Sequence, residues 1–155
     1  MAQCTDDGLF TALDAESNSI AMIVKHIAGN MRSRWIDFLT TDGEKPDRNR
    51  DTEFEAPPTT RSELLEMWER GWKLLLGALE PLSDADLTRT ITIPTEPHSV
   101  MQAINRQVAH YSYHVGQIVY LARHFAGDKW KSLTIPKRKS AEFNKQVASG
   151  EKSQR

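Results

Sequence analysis

Residues 99–127 read SVMQAINRQVAHYSYHVGQIVYLARHFAG, and this stretch decides the fold. Val100, Ile104, Val108, Tyr111, Val115, Ile118, Ala122 and Phe125 recur at three- and four-residue steps. That spacing lays one apolar stripe along a long α-helix, predicted from about Ser99 to Phe125. Ser99 and Gln102 have the spacing of a capping box, and Gly127 follows as a stop.

Two earlier segments share this period. From about Asn18 to Thr40, the stripe is Ile20, Ile23, Val24, Ile27, Met31, Trp35 and Phe38, with Ser17 or Ser19 as cap. From about Arg61 to Leu79, it is Leu64, Met67, Trp68, Gly71, Trp72, Leu75 and Leu79, opened by a Thr60–Glu63 capping box and closed by Pro81. The tryptophans on these stripes, Trp35, Trp68 and Trp72, read as packing residues. Residues 41–59 form a long polar link without periodicity, and loops of that length are usually functional or disordered. A helical turn is expected at Ser83–Leu87 and an extended piece at Ile91–Pro94. Beyond Gly127, Trp130, Leu133 and Ile135 suggest an anchored extended segment, with a short helix over Ala141–Ala148. The expectation is an all-α fold and a single domain over residues 1–155, with residues 128–155 a C-terminal extension packing on it.

A chain of 155 residues is long enough for one domain with a real core. Twenty basic and 21 acidic residues leave a net charge of −1, which gives no global attraction to nucleic acid or anionic membrane. Residues 128–155 hold eight basic and three acidic residues, most simply a solvated tail. The single cysteine, Cys4, forms no intrachain disulfide. The N-terminus lacks the basic and apolar regions of a signal peptide, and no apolar run approaches a membrane span. The expected location is the cytoplasm, without membrane or nucleic-acid partners.

The chemistry is carried by histidines. His110 and His114 are four residues apart, so they are neighbours on one helix face. They flank the apolar stripe, in company with Ala103, Gln107, Gln117 and Leu121. His26 flanks the stripe of the first segment, near Ser19, Asn30, Ser33 and Asp37. If these two flanks face each other in a bundle, the three imidazoles converge on one divalent metal, and three ligands with an open position suit a catalytic ion. Neutral imidazoles suit Zn, Ni, Fe or Cu, and spacing alone does not choose among them. Asn30, Gln107 and Gln117 are placed to accept the outer ring N–H groups. The bland alternative is that each histidine is a hydrogen-bonding group at the core edge. His98 reads as a loop residue and His124 as a cation near a helix C-terminus. Arg48, Asn49, Arg50 and Asp51 read either as an anion-recognising group or as ordinary solvated loop residues. Phosphate loops, nucleophile elbows and paired-cysteine zinc patterns are absent from the sequence.

Several stretches together resemble the DinB-like (YfiT-like) superfamily. Residues 17–30, SNSIAMIVKHIAGN, resemble its first metal-histidine helix. Residues 38–50, FLTTDGEKPDRNR, resemble the loop of one branch of unknown function. Residues 110–118, HYSYHVGQI, resemble its closing motif, and Trp130 to Phe143 resemble that branch's C-terminal segment. The similarity covers about residues 5–147. It implies a four-helix bundle with a long crossover, often dimeric, and a divalent metal (Zn, Ni or Fe) on His26, His110 and His114. Asn30 and Gln117 would orient these ligands. It also implies relatives that are metal-dependent transferases using a low-molecular-weight thiol, or a thiol-dependent isomerase; the expectation for this chain is a thiol S-transferase or a hydrolase acting on a small molecule. If a general base is needed, Asp37 or Asp42 is the guess. The alternative is a non-enzymatic dimeric binding or stress-response module. Three long helices are visible here, and the usual N-terminal helix is expected to be missing or short, residues 1–16 being its remnant. A homodimer formed by exchange, or the C-terminal segment, would then cover the groove.

Overall fold

A computed structural model of the chain describes residues 1–153. It is mostly helical: α1 is Asp6–Phe10, α2 Ile20–Trp35, α3 Arg61–Leu79, α4 Val100–Ala126 and α5 Ser140–Ala148. A small antiparallel hairpin interrupts the helices, with β1 at Thr90–Thr92 and β2 at Pro97–Ser99, Ile91 facing His98. The extended piece expected at Ile91–Pro94 is thus one arm of this hairpin, and His98 belongs to a strand.

Local signals in the chain set the helix starts. The Ser19 hydroxyl accepts from the Met22 amide at the head of α2. Thr60 and Glu63 close a full capping box on α3, and Ser99 and Gln102 close another on α4. Each cap satisfies amides that have no partner inside the helix. The end of α2 comes earlier than its apolar period suggests, at Trp35 instead of near Thr40. Asp37 takes a left-handed conformation at φ 48°, and its carbonyl receives the amides of Thr40 and Thr41. Phe38 nevertheless stays buried beside Trp35, which is why the pattern runs on past the helix.

The core lies around α2, which packs against α3, α4 and α1. Ile20, Ile23, Val24, Ile27, Met31 and Trp35 are all buried, as their stripe predicts. Close approach of α3 depends on Gly71: a Cβ there would press within 2.9 Å of Met31 Sδ. The polar flank of α2 is buried too, because residues 41–59 fold over it. Ser33 Oγ donates to the Gly43 carbonyl and accepts from the Lys45 amide, and Lys25 Nζ donates to the carbonyls of Thr52 and Glu55. Asp42 and Gly43 then tie this loop to the hairpin, through the Thr95 amide and the Thr92 carbonyl.

The two chain ends differ from their expectations in detail. Residues 1–16 contain α1, a five-residue helix capped by Thr5, and its Leu9 is fully buried. At the other end Trp130 packs on the core and the Gln3 amide brackets the backbone of Lys131. Leu133 and Ile135 are exposed, so the anchoring stops at Trp130, and no residue of α5 is buried. The backbones of α3 and α4 stand apart, bridged by an edge-on contact of the Trp72 and Tyr111 rings, 5.9 Å between centroids. Between them runs a groove of about 260 Å³ lined by Trp35, Trp72, Leu75, Ile104 and Tyr111. Leu76 and Val108 are 59% and 58% exposed. Among the described residues, no helix is long and apolar enough to cross a membrane.

The short α1 closes one end of the core chiefly through Leu9, its fully buried side chain, with Phe10 also packed on the core. Leu9→Ala is expected to lower stability by about 2–5 kcal/mol in urea unfolding, the usual loss for a fully buried leucine; a loss below about 1 kcal/mol would show that α1 is dispensable.

Candidate metal centre

His26 projects from the middle of α2, and His110 and His114 project from successive turns of α4. The flank of α2 meets the flank of α4, and the three rings converge. His110 Nε2 lies 3.3 Å from His26 Nε2 and 3.1 Å from His114 Nε2. One ring nitrogen from each residue falls within 4.8 Å of the others, a group that could hold a metal ion.

The outer nitrogens show how these rings are held. His26 Nδ1 is 2.8 Å from Glu53 Oε2, and His114 Nδ1 is 2.7 Å from Gln117 Oε1. A carboxylate only accepts, so neutral His26 carries its proton on Nδ1 and presents a lone pair at Nε2. An accepting amide oxygen on Gln117 has the same effect on His114. Lone pairs on two imidazoles therefore point at His110 Nε2, whose single proton would serve only one of them fully, whereas a cation at the centre would serve both. This donor set, neutral nitrogens with oriented outer N–H groups, fits a borderline divalent ion.

Glu53 comes from the long loop, where the sequence offered no candidate for this role. It sits on a single 3₁₀ turn, Asp51–Phe54, and is 6% exposed. Burial opposes its charge, but hydrogen bonds from His26 and Arg48, together with the Arg48 charge, prevail and hold its pKa below the ordinary carboxylate value. Arg48 grips it with two bonds, Nε to Oε1 at 2.8 Å and Nη2 to Oε2 at 2.9 Å. Arg48 also donates to Glu44, and Glu44 accepts from Arg34 at 2.8 Å. Gly29 makes room for the carboxylate, since a Cβ there would collide with it. The next residue of the turn, Phe54, stacks on the His26 ring with centroids 4.7 Å apart.

The other sequence candidates fall elsewhere. Asn30 lines the same cleft, but its Oδ1 accepts from the Tyr111 hydroxyl, which itself accepts from Trp35 Nε1. The expected orienting role toward His26 is occupied by Glu53, which reaches Nδ1 from the loop side. Asp42 caps backbone amides of Glu44 and Thr95, and neither it nor Asp37 lines the cleft. His98 bonds to the Glu96 carbonyl, and His124 meets the edge of Phe125, both away from the other three histidines. Gln107 lines the cleft at 4% exposure. Its Oε1 and the Nδ1 of His110, one turn apart, have no hydrogen-bond partner among the described residues.

Residues 1–139 match the family described as protein of unknown function (DUF1572), and the chain belongs to that family. No curated protein and no solved structure matches the chain.

Burial and the charges of His114 and His26 push the His110 imidazole from its ordinary 6.5 down to about 4, and burial lowers His114 as well. The unfolded chain therefore takes up protons first as pH falls. Stability of the metal-free protein is expected to be full above about pH 6.5 and to drop between there and about pH 4. Melting temperatures across that window test this, and His110→Gln should flatten the slope; an unchanged slope in the variant would refute it.

Proposed function

Membership of a family without an assigned activity leaves the site to speak for itself, and we propose that this protein is a metal-dependent enzyme of the DinB-like four-helix type. The observation that carries the reading is the convergence of three imidazole Nε2 atoms, with two of the outer nitrogens already engaged by Glu53 and Gln117. His26, His110 and His114 would hold a divalent ion, Zn, Ni or Fe. When bound, such an ion lowers the pKa of a thiol or water at its open position and so supplies a nucleophile near neutral pH. The reaction classes that follow are S-transfer from a low-molecular-weight thiol and hydrolysis of a small substrate.

The protein's own residues supply the preorganisation. Glu53 fixes the tautomer and ring angle of His26, Gln117 does so for His114, and the Arg48 fork keeps Glu53 ionised and in place. Phe54 covers one face of His26 and keeps water from it. The reading includes a single cytoplasmic domain and a homodimer, the latter supported by the exposed apolar groove between α3 and α4.

Metal content by mass spectrometry of tag-free protein tests this directly. Near one ion per chain is expected, and none in a His110→Ala, His114→Ala variant. A parent that holds no metal and takes up none would overturn the enzyme and leave a non-enzymatic binding module. Glu53→Gln and Gly29→Ala should each weaken metal binding by roughly 10–100-fold in chelator competition, the first by removing the acceptor's charge and the second by displacing it. Unchanged affinity in both would show that Glu53 plays no part in holding the ion.

A further inference from the structure

The cleft over the histidines, about 530 Å³, is lined by four arginines, Arg34, Arg48, Arg50 and Arg106. Two of them are neutralised in place: Arg34 and Arg48 are matched by Glu44 and Glu53. The guanidinium groups of Arg50 and Arg106 make no ion pair or hydrogen bond among the described residues. Both are solvent-exposed, so neither is spent on the core. The cleft therefore carries an uncompensated double positive charge in a chain whose net charge is −1. A concave wall of one sign concentrates ligands of the other.

Their placement relative to the histidines is specific. Arg106, His110 and His114 stand at four-residue steps on α4, so the guanidinium continues the histidine row by one helical turn, about 6 Å between Cβ atoms. Arg50 approaches from the loop. Its guanidinium lies over the Phe54 ring, 5.4 Å from the centroid, and Phe54 in turn stacks on His26. This stack holds Arg50 at a set offset from His26. One free guanidinium thus stands beside the α4 histidines and the other beside the α2 histidine, both opening into one cleft.

We propose that the cleft binds an anionic small molecule, one whose terminal carboxylate or phosphate is held by Arg50 and Arg106 while its other end lies over the three histidines. This rests on the metal-site reading for what happens at that other end, but the anion clamp stands on the arginines alone. Guanidinium suits the task because it is always charged and presents paired donors matched to carboxylate and phosphate oxygens.

Calorimetric titration of the full-length protein at low ionic strength, both metal-loaded and metal-free, tests the proposal. The probes are succinate, inorganic phosphate and the neutral succinamide. At least one anion should bind and succinamide should not, with affinity falling as salt is added. The stronger of the two anions identifies the carboxylate or the phosphate as the native group. An Arg50→Gln, Arg106→Gln variant should weaken that anion roughly tenfold or more. Its circular dichroism and its metal uptake should match the parent. Equal binding of succinamide, no binding of either anion, or parent-like affinity in the double variant would each overturn the clamp. A protein that takes up no metal yet binds anions through these arginines would overturn the metal site alone.

Discussion

Burying the Glu53 carboxylate against α2 would be prohibitive without the groups that surround it, because an isolated charge loses several kcal/mol of hydration on entering a protein interior. Three hydrogen bonds offset that cost here, two from the Arg48 fork and one from the Nδ1–H of His26. The charges continue outward in alternation, from Arg48 to Glu44, from Glu44 to Arg34, and from Arg34 to the Gly43 carbonyl. This ladder binds residues 43–53 to the polar side of α2. Remove one rung and each neighbouring charge loses one of its two partners, so the ladder holds together as a unit. The long loop is ordered for this reason, although it has almost no apolar residues of its own.

The same ladder divides the labour among the residues of the cleft. Side chains that set the position of others, such as Glu53, Arg48 and Gln117, are engaged with one another or with a ring nitrogen. Side chains left unengaged, Arg50, Arg106 and the inner faces of the histidines, are the ones that look into open space. The two arginines are exposed and keep their hydration, whereas a buried polar group without a partner is costly and marks where something else is meant to bind. Among the described residues, the Oε1 of Gln107 and the Nδ1 of His110 are two such orphans on the cleft wall, one helical turn apart on α4.

Much of this was legible in the chain, for physical reasons that differ from element to element. Helix α3 lies where its stripe and its Thr60–Glu63 box place it, because both local signals agree. The pairing of His110 with His114 follows from helical spacing, which needs no tertiary information. Their meeting with His26 required only that two polar flanks face each other. Glu53 was not legible. It lies in a loop without period, 27 positions from the histidine it serves, and nothing local distinguishes it from Glu44 or Glu55. A faint signal did exist in Gly29, three residues beyond His26 on the same face, where a missing side chain leaves space for a carboxylate. Asn30 misled because proximity along a helix says nothing of competition: the Tyr111 hydroxyl, itself held by Trp35, claims its oxygen first. The short reach of α2 past Trp35 was hidden for a similar reason, since Phe38 keeps the apolar rhythm after the backbone has turned.

The hydrogen bonds from Trp35 to Tyr111 and from Tyr111 to Asn30 have a practical meaning of their own. Asn30 stands in the wall of the histidine cleft, whereas Trp35 lines the apolar groove between α3 and α4. Two bonds, of 2.9 and 3.1 Å, connect an indole to that wall. The emission of an indole depends on the polarity and hydrogen bonding around its N–H, so the protein carries a built-in optical probe of its own cleft. With the other three tryptophans, Trp68, Trp72 and Trp130, replaced, any change at the histidines that shifts this chain of bonds would be readable as light from the opposite side of α2, without any label attached.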